Sequence, residues 1–179
     1  IQEGLSGAER IFDLMDQEEN LLEINDDRKK DIKISEGKIE IRNLTFSYDD
    51  KKVLNQLNLN IPKGKNVALV GLSGSGKSTI INLLLQFFTN YDGEILIDNQ
   101  NIKNFSLKSL RDNIGLVTQE TILFNDTIEE NIKYGNLKST QDDVEKASID
   151  AGVDEFVSLM PKKLKTIVGE SGVKLSGGQ

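Results

Sequence analysis

The sequence predicts an α/β fold, and three patterns predict it. An apolar, β-branched run at 67–70 passes through a glycine-rich loop into a second apolar run at 80–85, the order strand, loop, helix. Ahead of it, residues 39–61 alternate apolar and polar at every second position, so the N-terminal portion reads as antiparallel strands. Behind it, Thr-led capping signals and helical spacing recur through 127–160, which makes the second half mainly helical. The 179 residues, 37% hydrophobic and 28% charged, suffice for one domain with a sizeable core.

In chain order, Leu5, Ala8, Ile11, Phe12 and Met15 recur at helical spacing with acidic residues between them, a short amphipathic helix. Residues 17–37, rich in Glu, Asp, Lys and Asn, read as a solvated linker with a domain boundary near 36. Ile39 and Ile41 alternate in one phase and Leu44, Phe46 and Tyr48 in the opposite one, which predicts a bulge or kink near Asn43. Leu57, Leu59 and Ile61 continue the alternation, and Pro62, Lys63 and Gly64 turn the chain into the run at 67–70. That run is expected to be a buried strand of a parallel sheet covered on both faces. Tyr91, Asp92 and Gly93 form a turn before a strand at 94–97, and 114–118 is a further short, buried strand candidate. Thr127 with Glu130 is a capping box opening a helix at 128–133, closed by Gly135; Thr140 with Asp143 opens another that Gly152 stops. A last helix at 154–160 ends before Pro161.

The loop carries the chemistry. Gly71, Leu72, Ser73, Gly74, Ser75, Gly76, Lys77, Ser78 and Thr79 match the phosphate-binding loop in the setting it requires, after a strand and opening a helix. Its glycines let successive backbone N–H groups aim at one point, where the helix dipole also favours an anion. Lys77 is placed to reach the β- and γ-phosphates, and the Ser78 hydroxyl stands where Mg²⁺ is held, so the ligand is a Mg-nucleoside triphosphate.

Other classes are excluded or disfavoured. A net charge of −7 with no basic stripe argues against a nucleic-acid surface. Without cysteine there is no disulfide framework, and without histidine a zinc site is disfavoured. The most apolar stretch, 79–88, is broken by Asn82 and Gln86 and falls short of the roughly 20 residues a membrane helix needs. Asp112 and Gly115 fit a GTPase-like DxxG, but no NKxD accompanies it.

Leu175, Ser176, Gly177, Gly178 and Gln179, together with the loop upstream, resemble the signature sequence of the ABC ATPase family. The resemblance covers 38–179. It implies a RecA-like P-loop NTPase core with an N-terminal antiparallel β subdomain and a helical subdomain, the later core strands lying beyond this sequence. Residues 1–36 would be the helix and linker from a preceding transmembrane domain, and 37–179 the nucleotide-binding domain up to its signature. Tyr48 then falls where the family stacks an aromatic on adenine, Val53 joins the nucleotide contacts, and Gln119 matches the Q-loop glutamine at Mg²⁺ or the attacking water. The segments 123–132 and 166–172 look like those of exporter-type members, with Phe124 either core packing or a contact for a membrane domain. The resemblance further implies ATP and Mg²⁺ as ligands and head-to-tail pairing with a second nucleotide domain, Ser176 and Gly177 reaching the γ-phosphate in trans. The implied place is the cytoplasmic face of a membrane. The family's catalytic carboxylate has no counterpart here, so the 179 residues alone are expected not to turn ATP over. A non-transport ABC ATPase of the chromosome or repair type is the competing reading, disfavoured by the acidic charge and the lack of room for a long coiled coil.

Overall fold

The computed structural model describes residues 10–12, 30–119, 122–169 and 175. It divides into two units, Ile1–Leu116 and Val117–Gln179. Of the helix expected around Leu5 to Met15, residues 10–12 are described and helical, with Ile11 and Phe12 exposed; the rest lies outside the described residues.

The first unit holds strands β1 (Ile39–Tyr48), β2 (Lys51–Ile61), β3 (Asp92–Ile97) and β4 (Gln100–Asn101), and helices α1 (Lys77–Leu84) and α2 (Leu107–Arg111). The sheet order is β2-β1-β3-β4 and every pairing is antiparallel. The expected bulge is present. Asn43 has φ 48°, and the register of β1 slips between Ile41 and Leu44 against β2 and between Arg42 and Thr45 against β3. Side chains satisfy the backbone there: Asn43 N–H donates to Asn58 Oδ1 at 2.9 Å and Gln56 N–H to Thr45 Oγ1 at 3.0 Å. The slip moves the buried positions from Ile41 to Leu44 and Phe46, which keeps both halves of β1 facing the core.

That core gathers Leu44, Leu83, Ile95, Ile97, Ile102 and Leu110, fully buried between the sheet, α1 and α2. Each such side chain contributes roughly 1.5–3 kcal/mol through burial. Asp98 and Asn99, with φ 49° and 63°, make the two-residue turn joining β3 to β4, the left-handed pair that matches strand twist.

Three expectations need correction. Residues 66–70 form no strand: Val67 and Val70 are exposed and the segment pairs with none of β1 to β4. A strand exists only through lateral hydrogen bonds, and four apolar residues without a neighbour cannot supply them. The run at 114–118 is likewise not a strand, with Leu116 and Val117 exposed. Finally, 30–37 is not solvated linker. Ile32 is 5% exposed in the core, its N–H donates to Ser109 Oγ at 2.9 Å, and Lys30 bridges to Phe105 in parallel. The Asp98 carboxylate then accepts from the N–H groups of Ser35, Glu36, Gly37 and Lys38 at 2.7–3.3 Å.

The second unit contains α3 (Ile128–Lys133), α4 (Gln141–Asp150) and α5 (Val153–Val157), then a tight turn at Lys163–Lys165. Thr140 and Asp143 form the complete capping box. At α3 only half of the expected box forms: Thr127 Oγ1 accepts from Glu130 N–H at 3.1 Å, but the reciprocal acceptor for Thr127 N–H is Asp126, at 2.7 Å. Gly152 stops α4 at φ 70° and starts α5. Ile128, Val157 and Val168 form the core, with Phe156, Leu164 and Leu175 packed against them.

Candidate functional site

Gly76 is the N-cap of α1, at φ 89° and ψ 7°, and no side chain caps the helix start. The first turn contains no acidic residue either. Its N–H groups, which have no intrahelical acceptor, therefore face outward at the positive end of the helix dipole with no built-in anion competing for them. The approach is tight by construction. A Cβ on Gly76 would lie 2.8 Å from Leu54 Cδ2 and 3.3 Å from Val53 Cγ1, so only glycine lets the loop sit down against β2 while adopting a left-handed backbone. Ser75 N–H closes the loop onto Leu72 O at 3.2 Å.

Lys77 folds back over this loop. Its ammonium donates to Gly71 O at 2.9 Å and Leu72 O at 2.8 Å, with Ser75 Oγ at 3.4 Å. A cation is thus held beside the outward-facing N–H groups, with Ser73 and Gly74 exposed at the tip and Ser78 exposed on the first turn of α1. Uncapped amides, a tethered ammonium and a hydroxyl on one short loop fit a Mg-bound polyphosphate.

Two further expected residues lie against the same helix. Tyr48 ends β1 with its hydroxyl 3.5 Å from Thr79 Oγ1, and its ring is edge-on to Phe46 and Phe88 at 4.8 and 5.2 Å between centroids. Val53 packs at Gly76, as given above. Thr79 faces inward, 6% exposed. Gln119 is exposed in the second unit, and Leu175 is half-buried beside Ile128, Val157 and Val168. Ser176, Gly177, Gly178 and Gln179 lie outside the described residues. Phe124 is not core: it is half exposed, its ring tilted against Tyr134 with centroids 4.5 Å apart, and its backbone is held on both sides by the Asn131 amide.

Sequence reasoning missed Arg111. Its guanidinium donates from Nε to Leu85 O at 3.0 Å and from Nη2 to Gln86 O at 3.1 Å, at the far end of α1. Partners 25 and 26 positions away leave no local pattern to read.

The family model described as ABC transporter matches residues 54–179. The chain belongs to the ABC transporter family. Within it, the chain is 45% identical over 179 residues to the ATP-dependent lipid A-core flippase of Syntrophus aciditrophicus, covering 100% of this chain and 30% of that protein. It is 42% identical to ABC transporter B family member 2 of Dictyostelium discoideum, covering 98% of this chain and 13% of that one. Among solved structures, a bacterial Atm1-family ABC exporter with ATP bound superimposes at TM-score 0.87 and 38% identity, over 99% of this chain and 31% of the other. The α/β fold is therefore that of an ABC exporter's nucleotide-binding domain, and the chain spans less than a third of the ABC proteins it resembles. Among the described residues, no helix is long and apolar enough to cross a membrane.

Proposed function

We propose that this chain is the ATP-binding portion of an ABC exporter and that its glycine loop holds the phosphates of MgATP. The observation that carries the proposal is the uncapped, acid-free start of α1 with the Lys77 ammonium tethered over it, on a chain of the ABC family. In this reading the N–H groups of residues 71–79 hold the β- and γ-phosphates, and Lys77 leaves its two carbonyls to neutralise them. Ser78 and Gln119 are the residues that would hold Mg²⁺, which when bound would offset the negative charge of the phosphates. Tyr48 and Val53 flank the base side of the same helix start. Phosphoryl transfer is governed by positioning and charge stabilisation, so this loop supplies electrostatics. Orientation of the water falls to Gln119 with a carboxylate from elsewhere in the intact protein.

Ser176 and Gly177 are assigned to the γ-phosphate of a second nucleotide domain, paired head to tail, so that ATP binding closes the pair and hydrolysis opens it. A transmembrane domain ahead of the helix and linker of residues 1–36 converts that cycle into export, which puts the chain at the cytoplasmic face of a membrane. The relatives named above support a transport role over that of a chromosome or repair ATPase.

The test is nucleotide-induced stabilisation of the intact protein. MgATP at about 100 times its Kd is expected to stabilise the folded form by roughly 2.7 kcal/mol, and Lys77→Ala to remove most of that shift. An undiminished shift in the variant would overturn the loop assignment.

A further inference from the structure

The two ends of α1 are held by different chemistry. At its start lie the uncapped amides and Lys77; at its end the chain leaves through Leu85 and turns at Gln86, φ 52°, with no basic residue in the helix's own last turn. Carbonyls at a helix C-terminus lack intrahelical donors and carry the negative end of the dipole. Arg111 answers both needs from α2, donating to Leu85 O and Gln86 O at 3.0 and 3.1 Å while its guanidinium lies 4.9 Å from the Phe87 ring centre. The Gln86 side chain, 4% exposed, donates in turn to Ile102 O, so the residue that ends the helix is tied down twice. A planar fork with two fixed donors and a face on an aromatic ring is a rigid bracket that an ammonium on a flexible stem cannot reproduce.

The geometry points to Arg111 as a positioning residue for nucleotide binding, an inference that rests on the nucleotide reading of the glycine loop. Eight helical residues span about 12 Å. Over so short a rod, the bracket at the C-terminal end fixes the aim of the first-turn N–H groups and of Lys77 at the other.

The experiment uses the intact transporter, with ATPase kcat and KM, MgATP Kd and ligand-free Tm measured for wild type, Lys77→Ala, Arg111→Gln and Arg111→Lys. A residue that only supports folding lowers Tm and the active fraction, which reduces apparent kcat at unchanged KM. A positioning residue raises KM and Kd in the molecules that remain folded. Arg111→Gln is expected to raise both about tenfold, the loss of about one charge-assisted hydrogen bond. Arg111→Lys, which keeps the charge and one donor, is expected to raise them roughly threefold, and it decides the matter if Arg111→Gln does not fold. Unchanged KM and Kd in Arg111→Lys, with wild type binding MgATP and Lys77→Ala not, overturn the role of Arg111 and leave the nucleotide site standing. Failure of wild type to bind MgATP, or full binding by Lys77→Ala, overturns both.

Discussion

Asp98 shows how one side chain can organise a segment sixty residues away. Four consecutive N–H groups, from Ser35 to Lys38, converge on its carboxylate, and these hydrogen bonds hold its pKa well below the usual carboxylate range. A depressed folded-state pKa contributes stability that is fully present above the unfolded value, about 4, and is lost as pH falls toward the folded one. Asp98→Asn is therefore expected to lower Tm most at neutral pH, and the gap to wild type should close as the pH is taken down through the acid range. A gap that stays constant down to pH 3 would contradict the linkage. Neither the grip of Asp98 on residues 35–38 nor the Arg111 bracket was legible from the sequence. Their partners lie 60–63 and 25–26 positions away, and local periodicity carries no information about such distances. The loop's position at a helix start was legible because its pattern is local: Gly76 is the N-cap of α1, and Lys77 and Ser78 open its first turn.

At the scale of elements, alternation located β1, β2 and β3, and the change of phase between Ile41 and Leu44 located the bulge. Continuous apolar runs misled at 67–70 and 114–118, where no strand forms. A short run without alternation says nothing about what would pair with it, and pairing decides whether a strand forms. The bulge yields a sharp test at Gly93, expected from sequence to be only a turn residue but placed inside β3. Its φ is 90°, and a Cβ there would lie 2.5 Å from Arg42 O and 2.6 Å from Asn43 O. Gly93→Ala combines an unfavourable backbone with a clash against main chain that cannot swing aside, and is expected to cost about 2–4 kcal/mol. The urea midpoint of the intact protein reads this directly; a loss below 1 kcal/mol would mean that the bulge relaxes freely.

For the whole molecule, capping signals and helical spacing carry the helical second half, and the order of the motifs along the chain carries the family. What no single chain can display is a site completed by another. Leu175, the residue before Ser176 in the sequence, is half-buried against the second unit's core. If Ser176 serves a nucleotide on a second copy, Ser176→Ala should leave MgATP affinity of the separate domain within about twofold by calorimetry, yet abolish ATP-dependent pairing in size-exclusion chromatography. Each lost hydrogen bond to a charged group removes about 1.5–3 kcal/mol, and the loss falls on the closed pair alone. Equal loss of binding and pairing would contradict a ligand shared between copies.

The strap from 30 to 38 has a mechanical consequence. Between the Lys30 bridge to Phe105, the Ile32 and Lys33 contacts with Ser109 and Gln100, and the grip of Asp98, the chain has almost no slack. Residues 30–38 are therefore tied to α2 and to the β3–β4 hairpin at successive points and do not form a free tether.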